Sequence, residues 1–349
     1  MWKSWSVIVG GVSLVALWAV CGLVQAGPIS DTYASRVIEL TSLDPAEKAP
    51  VVSSVTLDPK GRFLITAGDD HLVRIWNAQS GQLLYRLPGH VDWVRAANFR
   101  ADGQAVATAG ADRQIVLWDI KGGRMVTSSG EQSQSFYAIR YSPDGRILAA
   151  AGSGDRVGLY DGSTLRLLNE LPAPGQDIGA LAFSPDGRQL AAAGREGRIR
   201  VWDPATGQTL RDLPGQRRIH ALAYSLDGSV LAAGGNARAI AMWDARSGAE
   251  LPELPDRPGK VRALAFCGPT LLASSGSDNM IRIWDTKTRQ ERAHLVGHSG
   301  SITTLAWDTK SNTLISGSFD TTVRLWQVRL ESADRISLRP DASPNHGGR

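Results

Sequence analysis

The chain repeats itself at a fixed interval. A tryptophan closes a strand-like run at Trp76, Trp118, Trp202, Trp243, Trp284 and Trp326, and Tyr160 fills the one gap in the series. Subtracting neighbours gives steps of 42, 42, 42, 41, 41 and 42 residues. A period of that size constrains the architecture before any single residue is read. A length of 349 residues alone would suggest about two domains. Seven copies of one unit point instead to a single closed ring.

Each unit offers four strand-like segments. In the second, residues 94–99, 104–109 and 114–118 are short runs rich in β-branched or small apolar residues, and 124–127 starts a fourth. Turn residues separate them, such as Ala101, Asp102 and Gly103. Runs of about five residues bounded by Gly, Pro, Asp and Ser are the antiparallel pattern. The first turn recurs as Ser142, Pro143, Asp144, Gly145 and as Ser184, Pro185, Asp186, Gly187. There Pro presets a negative φ and Gly takes a positive one. The fold class is therefore all-β, with seven four-stranded antiparallel sheets. Small residues in the second strands, as at 190–194, suit close sheet-on-sheet packing.

The ends indicate how the ring closes. The last unit has three clear strands, ending at Trp326, and the run RVIEL at 36–40 is a strand with no unit of its own. The simplest closure adds 36–40 to the outside of the last sheet. The alternative has 327–330 turning back, but no turn signal follows Trp326.

These residues resemble the WD-repeat β-propeller family over roughly 36–328. Trp-Asp is intact at Trp118-Asp119, Trp202-Asp203, Trp243-Asp244 and Trp284-Asp285, and Gly-His at Gly89-His90 and Gly297-His298. The resemblance implies a seven-bladed propeller and a buried relay of His, Ser or Thr, Asp and Trp. Two units keep all four members: His90, Thr108, Asp112 and Trp118, and His298, Ser316, Asp320 and Trp326. The first keeps Thr66, Asp70 and Trp76, and the sixth Ser274, Asp278 and Trp284. The third, fourth and fifth carry Gly154, Glu196 and Ala237 in place of the Asp. The relay reads as structural, because a satisfied buried network fixes turn geometry.

Catalytic and cofactor motifs are missing. No Walker loop, HExxH, EF-hand loop, GxSxG or CxxCH occurs, and no cofactor or metal is expected. The net charge of +4 does not supply the dense basic stripe that nucleic acid requires. Only Cys21 and Cys267 are present, and Cys21 falls in the apolar N-terminal segment, so the folded domain is expected to form no internal disulfide.

The resemblance also implies that the loops before first strands, and between second and third strands, share a partner-binding face. Aligning the units on Val94 places Ser53, Arg95, Tyr137, Gly179, His220, Arg262 and Thr303 around the mouth of a central channel. Trp93, Arg95, Arg218, Arg262 and Phe319 are the candidate contacts to a protein partner, with Tyr137 and His220 at the channel mouth. Trp and Arg are the types most enriched at binding hot spots. The competing view is an ordinary solvated rim, with Asp92, Asp177, Glu196 and Asp256 diluting the field.

Residues 1–26 carry one charge, Lys3, then an uncharged run to Ala26. That is a secretory signal with cleavage after Val24, Gln25 and Ala26, or an uncleaved membrane anchor through 4–26. Both readings place the domain outside the cytoplasm, periplasmic or extracellular, as an exported bacterial-type protein. A linker at 27–35, a propeller at 36–330 and a polar tail at 331–349 complete the organisation. The expected function is a non-catalytic, monomeric interaction scaffold. The alternative is an enzyme or small-ligand binder using an anion-favouring site at the channel mouth.

Overall fold

The computed structural model describes residues 30–31, 36–40, 49–215, 217–330 and 336–337. The expected export segment, 1–26, lies outside the described residues, as does most of the 331–349 tail.

Seven antiparallel sheets form a propeller. In blade 2, Val94–Phe99, Ala105–Gly110, Ile115–Asp119 and Arg124–Ser128 pair in chain order, from the axis outward. Blades 1 and 3 to 6 follow the same order, with innermost strands Val52–Leu57, Phe136–Tyr141, Ala180–Phe183, Ile219–Tyr224 and Val261–Phe266. Each innermost strand packs beside the next, and Ile302–Asp308 of blade 7 returns to Val52–Leu57 of blade 1.

Blade 7 closes the ring. Its chain-contiguous strands are Ile302–Asp308, Thr313–Ser318 and Thr322–Gln327, and Arg36–Glu39 adds antiparallel outside them. Arg36 lies opposite Leu325 and Glu39 opposite Thr322. Leu40 N–H donates to Thr321 O at 3.0 Å. The alternative closure does not form, because Arg329–Leu330 pairs with Ile336–Ser337 in a separate ribbon. The segment read as a linker also contributes structure. Ser30–Asp31 adds in parallel to the outer edge of blade 6, with Ser30 opposite His294. An outermost strand offers unpaired backbone groups, and a passing chain can satisfy them.

There is no single core. Seven apolar clusters lie one between each pair of adjacent blades. The inner strands are buried on both faces, so their apolar runs are continuous rather than alternating. All six residues of Ala105–Gly110 are buried, whereas Leu167–Pro172, an outermost strand, is mostly exposed. The periodic Trp is the large side chain of these clusters, and Trp118, Trp202 and Trp326 are almost fully buried. Tyr160 fills the same slot in blade 3 and is buried too.

Candidate interaction face and central channel

The relay geometry is nearly identical in blades 2 and 7. Trp118 Nε1 donates to Thr108 Oγ1 at 2.7 Å, and His90 Nε2 lies 2.7 Å from the same oxygen. His90 Nδ1 lies 2.7 Å from Asp112 Oδ2. A carboxylate only accepts, so Nδ1 carries a proton, Nε2 accepts from the hydroxyl, and the chain of donors runs from Trp to Asp. Blade 7 repeats it through Trp326, Ser316, His298 and Asp320 at 2.8, 2.7 and 2.8 Å. Burial pushes the Asp112 and Asp320 carboxyls upward, but hydrogen bonds, led by those from His90 and His298, outweigh it and hold both below the usual carboxylate range.

Blades 1 and 6 keep the indole-to-hydroxyl bond, Trp76 to Thr66 at 2.9 Å and Trp284 to Ser274 at 2.8 Å. Arginine there takes the histidine's part. Arg74 Nη1 lies 3.1 Å from Asp70 Oδ1, and Arg282 pairs with Asp278. Arg257, four residues before Val261 as His90 is before Val94, also reaches Asp278 at 3.4 Å and is 2% exposed. Sequence reasoning missed Arg257, although counting back from the strand identifies it. In blades 4 and 5 the hydroxyl position is Ala192 or Ala233, and Trp202 Nε1 and Trp243 Nε1 are buried without a partner.

The two sets of loops on the candidate face are tied together. Ala111 N–H donates to Trp93 O at 2.9 Å in blade 2, and Asn236 to Arg218 O and Phe319 to Ser301 O do the same in blades 5 and 7 at 2.9 and 3.0 Å. This close approach explains the glycine that ends most second strands. A Cβ on Gly110 would sit 2.2 Å from Trp93 O, and one on Gly152 would sit 1.7 Å from Ser135 O. The glycines therefore serve loop docking, beyond the sheet packing read from sequence.

All seven aligned residues, Ser53 to Thr303, line one hollow on the propeller axis. Six of them, all but Gly179, fall where the pairing of first and second strands skips a residue, as between Val94 and Ala96. A β-bulge turns its extra residue away from the regular alternation, and here that direction is the channel. The Arg95 guanidinium lies 4.5 Å from the Trp93 ring centre and 5.0 Å from that of Tyr137. Arg262 lies 6.0 Å from the Phe319 ring, and Phe319 is 38% exposed. Cation–π stacking of this kind pre-orders both arginines. His220 Nε2 is 3.0 Å from Asn236 Oδ1, and burial lowers its pKa.

Arg218 is differently placed. Its Nη2 donates to Asp177 Oδ2 at 2.7 Å, and Arg195 approaches the same carboxylate at 3.6 Å. Asp177 thus neutralises part of the rim, as the competing view expects. Arg140 joins the hollow unannounced. It stands three residues after Tyr137, in a column otherwise filled by Thr56, Asn98, Ala182, Ala223, Ala265 and Ala306. That lone large residue was visible in the aligned units. Among the described residues, no group of three or more His, Cys, Asp or Glu side chains could hold a metal ion.

Comparison with known proteins bears on this architecture. The model of the family described as "WD domain, G-beta repeat" matches residues 39–77, 81–119, 165–203, 251–285 and 289–327, more than half of the chain. The units it passes over are those of blades 3 and 5, where Tyr160 replaces Trp and Ala233 and Ala237 replace relay members. The chain is 36% identical over 78 residues to nuclear distribution protein PAC1 of Mycosarcoma maydis. It is 33% identical over 82 residues to nuclear distribution protein PAC1-2 of Postia placenta. These alignments cover 22% and 24% of this chain and 16% of each relative. With five matched repeats set on a seven-bladed ring, the chain belongs to the WD40 repeat family.

Proposed function

We propose that this propeller is a non-catalytic scaffold that acts outside the cytoplasm and captures a protein partner on the face bearing Trp93, Arg95, Arg262 and Phe319. The observation that carries the reading is the stacked set on that face. Arg95 lies between Trp93 and Tyr137, and Arg262 lies against Phe319. Rigid aromatic and arginine side chains, held before a partner arrives, lose little conformational freedom on binding. Arg218 contributes less in this reading, because Asp177 already holds it. The relatives' names, shared over 16% of their length, do not specify this chain's partner.

Export rests on the uncharged run of 4–26, and the propeller closes on itself without a second copy. The test is cross-linking and affinity capture from the native envelope fraction, with the variant Trp93→Ala, Arg95→Ala, Arg262→Ala beside the unaltered chain. The triple variant is expected to keep its melting temperature and lose at least about tenfold of captured partner, since hot-spot residues carry about 2 kcal/mol or more each. Undiminished capture would overturn the assigned face. A chain recovered only from the cytoplasm would overturn the location.

A further inference from the structure

We propose that the central channel binds a small multivalent oxyanion of the phosphate class, held by Arg95, Arg140 and Arg262. The site shares Arg95 and Arg262 with the face proposed above but takes a free ion on the axis rather than a protein, and Arg140 belongs to the ion site alone.

The hollow has a volume of about 160 Å³ and is bounded by residues of all seven blades. Its walls carry three arginines and His220, and no Asp or Glu. Several arginines elsewhere sit on carboxylates, as Arg200 does on Asp212 at 2.6 Å and Arg282 on Asp278. The channel arginines do not. Arg95 Nε and Arg262 Nε are buried with no acceptor, and these two guanidinium groups rest against aromatic rings. Arg140 Nη1 donates to the carbonyl of Ile139 at 2.9 Å, which leaves most of its fork open.

Like charges brought together repel one another, and a buried donor without an acceptor is unfavourable. An anion on the axis relieves the repulsion and can accept from the outer nitrogens of the forks. Arg140 stands exposed to the channel space, and the desolvation that the surrounding wall imposes lowers its pKa. Burial lowers that of His220 as well, opposed by its bond to Asn236 and reinforced by Arg262, Arg218 and Lys260. Both groups are thus short of the counter-charge that an oxyanion supplies.

The geometry favours a tetrahedral, multiply charged ion. The three arginines stand on the innermost strands of blades 2, 3 and 6, on different sides of the axis, with Arg140 three residues further along its strand than the aligned level of Arg95 and Arg262. One carboxylate offers two oxygens in a plane, whereas phosphate or sulfate offers oxygens in every direction. The stacked rings of Trp93, Tyr137 and Phe319 hold two of the forks in place before the ion enters.

The test is calorimetric titration of the full chain with inorganic phosphate, at ionic strength held constant with sodium chloride. Acetate and a phosphoserine peptide are titrated in parallel. Phosphate is expected to bind saturably, one ion per chain, and acetate at least about tenfold more weakly. Arg140→Gln is expected to weaken phosphate at least about tenfold with no change in partner capture. No saturable phosphate signal, acetate binding as tightly, or a folded Arg140→Gln chain that binds like the unaltered one would each overturn the site. Should Arg140→Gln not fold, Arg262→Lys decides, since it keeps the charge and loses the fork; unaltered binding by that variant overturns it too. A phosphoserine peptide bound more than about tenfold tighter than phosphate assigns the channel to a partner's side chain and overturns the free-ion proposal.

Discussion

At the scale of single residues, space and hydrogen bonding decide what each position tolerates. Gly152 shows the first. Its φ is ordinary, and what excludes a side chain is the carbonyl of Ser135, 1.7 Å from where a Cβ would stand. Backbone, unlike the far end of a flexible side chain, yields little. Gly152→Ala is expected to lower stability by more than about 2 kcal/mol, at the severe end of overpacking, as measured by chemical denaturation. The sequence shows the recurrent glycine but not the carbonyl against it. Trp202 and Trp243 show the second effect. Each matches the periodic tryptophan in burial, yet its indole N–H has no acceptor, because an alanine stands ten residues before it where Thr108 stands before Trp118. The apolar clusters between blades hold these two units without the relay.

At the scale of the element, the relay couples a loop, two strands and a tight turn. His90 comes from the loop before the first strand of blade 2, Thr108 from the second strand, Asp112 from the turn and Trp118 from the third. Asp112 Oδ1 also accepts Gln114 N–H at 3.2 Å, across Arg113 at φ 63°. Both relay carboxyls titrate below their unfolded value of about 3.9. A depressed carboxyl stabilises the fold above its unfolded pKa, and that contribution disappears as pH falls through the folded value. Stability is therefore expected to be flat in these groups above about pH 5 and to drop steadily below about pH 4. Denaturant midpoints measured from pH 2 to 7 on the unaltered chain and on Asp112→Asn, Asp320→Asn check this. The double variant is expected to be less stable at neutral pH, with a shallower acid limb. In blades 1 and 6 arginine does the same work without a titrating imidazole.

At the scale of the whole molecule, the seam between blades 7 and 1 holds the ring. Residues near the start and end of the propeller meet there, through Arg36–Glu39 on Thr322–Gln327. Thr303 Oγ1 adds a bond to Val52 O at 2.7 Å across the inner strands. Ile38 and Leu40 are 5% and 2% exposed in the seam cluster. Ile38→Ala with Leu40→Ala is expected to remove roughly 2–5 kcal/mol per site. Because each blade is stabilised by its neighbours, the loss should lower one shared melting transition rather than unfold blade 7 alone. Calorimetry that resolved a separate early transition would contradict this.

The spacing of the tryptophans pointed to seven blades, the ends of the repeat array to a closing strand at 36–40, and the alignment of the units, with the family resemblance, to the residues placed around the axis. Those follow from the sequence because a repeat carries its own alignment: equal positions in equal units adopt equal places. What the spacing left open is decided by contacts between units that are far apart in the chain. The bulge that turns Arg95 and Arg262 inward is a property of paired strands. The stack of Arg95 on Tyr137 joins two blades, and the bond from Arg218 to Asp177 crosses 41 positions. Arg140 becomes part of a site only when seven inner strands enclose an axis. A local code fixes each blade, but the charge balance of the channel is a sum over all seven, and only the closed ring performs that sum.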